Sequence, residues 1–184
     1  MPSERIMRMA VVAAREDIAQ TLAMLDRLGP VPDGFWCDPY VIGYLASLGG
    51  MAAEDVTDGR LSEKHLTKAA FRALGVVAGR PPAQLRAIVE NGTPEALTEF
   101  EDGFVAAYKV ASVACGDDEF DTDSVVMQAR AFAAKHPTAF DDALVDETAR
   151  TVAVLESVLF VTYVAETYYP EAARRRYTLS TLSD

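Results

Sequence analysis

The placement of proline constrains this chain more than any other feature. Gly29-Pro30, Asp38-Pro39, Pro81-Pro82, Thr93-Pro94 and His136-Pro137 each fall where a helical apolar periodicity stops or starts. Proline suits the first position of a helix and cannot continue one, so such junctions punctuate a helical chain. The segments between them carry apolar stripes at helical spacing. From Ser3 to Leu28 the stripe is Met7, Val11, Ala14, Ile18, Leu22 and Leu25. Asp38 is placed to cap a second helix that is apolar on nearly every side from Tyr40 to Leu48, with Gly43 and Ala46 leaving room for a neighbouring backbone. Gly49-Gly50 is read as an end or bend of that helix.

Ser62 opens a third helix with Leu66, Ala69, Ala70, Ala73, Leu74 and Val77 as its core face, and Gly79 ends it. A short fourth helix runs from Pro81-Pro82 to Glu90. The fifth starts at Thr93-Pro94 and carries Leu97, Phe100, Phe104, Ala107, Tyr108 and Ala111 on one stripe until Gly116. A sixth, from Ser124 to Lys135, turns Val125, Ala129 and Phe132 inward, and a last helix begins near Thr138 or Asp141 and reaches Tyr169. No segment alternates β-branched with polar residues, so no sheet is expected. The pattern predicts an all-α, single-domain helical bundle of about six to eight helices over residues 1–176, with a flexible Ser/Thr-rich tail at 177–184. The run Thr151–Ala165, apolar around its circumference except for Glu156, is expected to be the central, most buried helix. It reads as too short to span a bilayer, which takes roughly 20 apolar residues.

Composition narrows the function classes. The 184 residues are 50% hydrophobic, enough for a core, and carry a net charge of −11. Such a surface repels nucleic acid and anionic lipid, so neither nucleic acid nor membrane is expected as a partner. The one dense basic cluster, Arg174-Arg175-Arg176, fits a last helical turn, where cations complement the dipole. Cys37 and Cys115 are isolated from each other and outside any CxxC pattern, which points to reduced thiols and a cytoplasmic location. Ile6–Ala14 is broken by Arg8 and lacks a small-residue cleavage site, so no signal peptide is read.

Motifs with chemical content are few. No GxSxG, P-loop, GxGxxG or Ser/His/Asp arrangement is present, and His65 and His136 do not stand at metal-ligand spacing. No cofactor is expected. Glu54–His65 resembles a calcium-binding EF-hand turn in rhythm, but Val56 and His65 occupy positions that need oxygen ligands. Asp117-Asp118-Glu119-Phe120-Asp121 matches the DDxxD pattern with which enzymes of isoprenoid chemistry hold magnesium and diphosphate, but here it reads as a loop. Glu99 and Asp102 have the ExxD spacing that all-α nucleotide pyrophosphohydrolases use for magnesium. Glu156 is expected to be mostly buried and paired with a group from another helix, because Val152, Ala153, Leu159, Phe160 and Tyr163 surround it.

The reading that follows is a helical protein acting through protein–protein interaction or self-association, without catalysis. Phe35, Trp36, Tyr40 and Tyr44 are its candidate partner-binding residues, since loop aromatics beside a Gly/Ala-rich helix can anchor a partner or a homodimer. The alternative is a divalent-metal-dependent phosphohydrolase or diphosphate-binding enzyme using Glu99, Asp102, Asp117, Asp118 and Asp121.

Overall fold

In a computed structural model, which describes residues 2–137 and 146–171, the helices form where caps and periodicity place them. They are α1 (Glu4–Ala23), α2 (Pro39–Thr57), α3 (Glu63–Ala78), α4 (Pro82–Glu90), α5 (Pro94–Cys115), α6 (Ser124–Lys135) and α7 (Glu147–Tyr168), with a 3-10 turn at Asp33–Cys37. No strand occurs among the described residues, so the protein is all-α. Asp38 Oδ1 accepts the Val41 N–H at 3.2 Å, Asp123 Oδ1 accepts that of Val125 at 2.9 Å, and Asp146 Oδ1 accepts that of Ala149 at 2.7 Å. Each satisfies a backbone donor that the first helical turn leaves open. Gly79 and Gly116 close α3 and α5 with φ of 63° and 77°, a region that favours glycine. The expected tail, the arginine cluster and the start of the last helix near Thr138 or Asp141 lie outside the described residues.

Contacts group the chain into two compact units, Met1–Asp26 with Val31–Tyr108 and Arg27–Pro30 with Lys109–Asp184. The first unit is built round α2. Every residue from Val41 to Gly49 is buried, among them Tyr44, Leu45 and Ile42. Small residues make that enclosure possible. A Cβ at Gly49 would press on Ile18 and Ala14 of α1, and a Cβ at Gly43 would overlap the Phe100 carbonyl of α5. Gly103 of α5 returns the fit, since a Cβ there would overlap the Tyr40 carbonyl of α2. The two helices therefore cross glycine against backbone. A satellite cluster of Ala10, Ala53, Leu61 and Ala69 joins α1, α2 and α3.

Three expectations need correction here. Gly49-Gly50 does not end α2, because the helix runs on to Thr57 and stops at Asp58, which adopts φ 51°. The small residues serve close packing rather than a break. The most buried described segment is Val41–Gly49, not Thr151–Ala165, within which Ser157 and Val158 are exposed. The reason is a π turn at Ser157–Val161, where the Thr162 N–H reaches Ser157 O, five residues back, and the Thr162 hydroxyl donates to the same oxygen at 2.9 Å. One wide turn shifts the register of the side chains beyond it. Helix α7 as a whole, Glu147–Tyr168, is long and apolar enough to cross a membrane by length and composition, contrary to the expectation drawn from its shorter apolar run.

The second unit gathers Val110, Val113, Val126, Ala129 and Leu155, with Phe120 and Val152 packed beside them. Ion pairs hold its loop: Lys109 Nζ meets Asp123 Oδ2 and Arg130 meets Asp121 Oδ1, both at 2.6 Å. The Tyr169 hydroxyl donates to Pro30 O at 2.7 Å.

Candidate docking cleft

The glycine crossing decides where the aromatic residues of α5 go. Gly103, Ala106, Ala107 and Val110 are buried, so the close-packed face of α5 is its small-residue face. Phe100, Phe104 and Tyr108, spaced four apart, stand beside that face rather than on it. Phe104 is 45% exposed and Tyr108 is 38% exposed. The stripe read from the sequence therefore divides, with Ala107 buried and Leu97, Phe104 and Tyr108 exposed. The signal that would have found the arrangement is the Gly103/Ala106/Ala107/Val110 spacing, which marks a close-approach face at the helical period.

Together α2, α3 and α5 enclose a cleft of about 430 Å³ within the first unit. Its floor is Ala46, Ser47 and Gly50 of α2. Leu66, Ala70 and Phe71 of α3 form one wall, and Phe100, Phe104 and Tyr108 form the other. Met51 adds an adaptable thioether, and Glu54 and Glu63 bring the only carboxylates. Ser47 is 2% exposed, yet its Oγ has no hydrogen-bond partner. A concave, mainly apolar surface of this size with a few polar groups is the usual form of a binding site.

The residues singled out from sequence distribute as follows. Phe35 and Tyr44 are fully buried, while Trp36 and Tyr40 are half-buried. Phe35 and Trp36 pack edge to face with ring centroids 5.0 Å apart. The stretch Val41–Gly49 that follows them is buried within its own chain. Tyr40 has its hydroxyl pKa pushed up to about 12, first by burial and then by the carboxylates of Asp102 and Asp38. Tyr40 and Asp102 therefore do come together, at the Gly103 crossing. Glu99 and Asp102 are exposed on α5 of the first unit. In the second unit Asp117 and Asp118 are exposed, and Asp121 is committed to Arg130. Among the described residues no group of three or more His, Cys, Asp or Glu side chains could hold a metal ion. Glu156 is half-buried on α7, immediately before the π turn. The turn at Glu54–His65 is closed by chain contacts, with Thr57 Oγ1 donating to Ala53 O at 2.7 Å and Arg60 Nε to Thr57 O at 2.7 Å.

The second unit has a groove of its own, about 420 Å³, between α6 and α7. Phe132, expected to face inward, is 47% exposed along it, and Val158 of the π turn is 49% exposed. Gln128 and Ser157 are its polar lining residues. No protein family matches the chain, and neither a curated protein nor a solved structure does. The fold class and the geometry of these sites are therefore what a functional reading rests on.

Proposed function

We propose that the protein is a binding module without catalytic activity, whose first unit docks an amphipathic helix of another protein in the cleft between α2, α3 and α5. The observation that supports this most is the exposure of Phe104 and Tyr108 over a preformed apolar floor. Aromatic anchors in a groove are the usual energetic centre of helix-in-groove recognition. Covering the exposed part of each ring contributes roughly 1–2 kcal/mol, so a partner that covers several apolar walls gains useful affinity.

Charge selects the occupant. Glu54 and Glu63 border the cleft, and the whole chain carries −11. A partner helix with an apolar face and Lys or Arg at its flanks is attracted and steered, whereas a second copy brings the same −11 and is repelled. The test is titration with a synthetic Leu/Lys amphipathic helical peptide, with a scrambled peptide of equal composition as control. The amphipathic peptide binds and the scrambled one does not. Phe104→Glu weakens binding about tenfold or more, and Phe132→Glu in the second unit leaves it unchanged. Equal binding of both peptides, or insensitivity to Phe104→Glu, contradicts the proposal. Sedimentation showing a dimer that Phe104→Glu dissociates would replace the partner with a second copy.

A further inference from the structure

On an adjoining face of α3 lies a second cleft of the first unit, about 460 Å³, whose chemistry is opposite to that of the molecule as a whole. Lys64, His65 and Lys68 of α3 and Arg86 of α4 line it, with Glu90 as the one carboxylate and Thr67 as the neutral polar group. In a chain of net charge −11, three permanent cations and an imidazole meet in one concavity. The sequence conceals this, because the four residues sit on two helices and form no basic run.

Structural roles do not account for these cations. Lys64 stands in the first turn of α3, where the helix dipole disfavours positive charge by roughly 0.3–1 kcal/mol. Neither Lys64 nor Lys68 has a carboxylate within ion-pair distance among the described residues. Ser62, at the N-cap, does not cap a backbone N–H with its side chain; its Oγ lies 2.7 Å from His65 Nδ1 and fixes the imidazole instead. The guanidinium of Arg86 is also held in place, 5.5 Å over the Phe71 ring. Its Nε is buried without a hydrogen-bond acceptor, the Glu90 carboxylate being 3.9 Å away, an ion-pair distance too long for a hydrogen bond. A positioned guanidinium whose Nε lacks an acceptor, beside two ammonium groups without an ion pair and a helix start without a side-chain cap, is a set of donors opposed by the Glu90 carboxylate alone.

We infer that this cleft binds a polyvalent phosphate group, such as the diphosphate of a small metabolite, with Arg86 as its fork and Lys64 and Lys68 as point charges. A tetrahedral oxyanion accepts several charge-assisted hydrogen bonds at once, and the roughly three negative charges of an esterified diphosphate match the three permanent cations. The site adjoins the docking cleft but has its own lining: Thr67 is common to both, and Arg86 stands over Phe71 of the docking wall.

Isothermal titration of the full chain with sodium pyrophosphate, at ionic strength fixed with sodium chloride, tests the inference. Saturable binding at one site per chain is expected. The double variant Lys64→Glu/Lys68→Glu, altered at two exposed positions that leave the fold intact by circular dichroism, should bind about tenfold or more weakly. Arg8→Glu, a charge reversal on α1 away from the cleft lining, should bind as the native chain does. The amphipathic-peptide titration should show binding retained or strengthened in the double variant, whose added carboxylates attract the peptide's lysines, so failure of this site and failure of the docking cleft are read separately. Absence of saturable heat, equal loss in Arg8→Glu, or binding of a poly-glutamate peptide with no binding of pyrophosphate would each overturn the inference.

Discussion

The first unit hides its most apolar helix and the second displays part of its own. In the first, Val41–Gly49 of α2 is buried because glycines let neighbours approach closely: Gly43 meets the Phe100 backbone, Gly103 meets the Tyr40 backbone, and Gly49 meets the Ile18 side chain. In the second, α7 has comparable hydrophobicity but no glycine between Glu147 and Tyr168, and its π turn turns Val158 to the surface. Two helices that look alike by composition thus differ in exposure because of residues with no side chain. Burial follows from how closely neighbours approach as much as from apolar content.

The sharpest way to break this comparison is to fill the crossing. Gly103→Val would force a side chain into the Tyr40 carbonyl and should cost about 3 kcal/mol or more, read as a fall in the urea midpoint with an unchanged slope. A near-neutral result would mean that α2 and α5 do not meet as described. A smaller effect is expected in the second unit from Asp123→Ala, which removes the α6 cap and the Lys109 ion pair together, at roughly 1–3 kcal/mol.

Asp123 also gives the second unit a pH signature. The hydrogen bond from Lys109 is the largest influence holding its carboxyl below the usual value of 3.8. Its contribution is therefore complete above that value and is lost as pH falls through the lower folded-state value. Acid titration of stability should show that loss in the native chain and not in Asp123→Asn. Identical acid limbs would remove the ion pair from the account. The smallest stability effect is expected from Phe104→Glu, within about 0.5 kcal/mol because the ring is substantially exposed, although the same change weakens docking about tenfold or more.

Much of the fold was legible in the sequence, for a physical reason: helix ends are local. Asp38, Thr93, Gly79 and Gly116 act within a turn of their own position, and the structure has helix ends at each of them. The site was not legible, because it depends on which faces meet. Phe104, Tyr108 and Phe132 carry the same periodicity as core residues, and only the glycine crossing and the π turn move them outward. Conversely, Phe35 and Tyr44 look like anchors on a loop and a following helix, yet both are enclosed. The basic cleft was invisible for a related reason, since its charges are brought together by helix packing and not by adjacency.

The central claim is that the aromatic cleft of the first unit, rather than the groove of the second, receives the partner helix. Methyl NMR separates the two directly, because Met51 lines the cleft and Val158, 49% exposed, lines the groove of the second unit. On titration with the Leu/Lys amphipathic peptide, the Met51 methyl resonance should shift progressively to saturation while those of Val158 stay in place. A saturable shift of the Val158 methyls with Met51 unmoved would contradict the account.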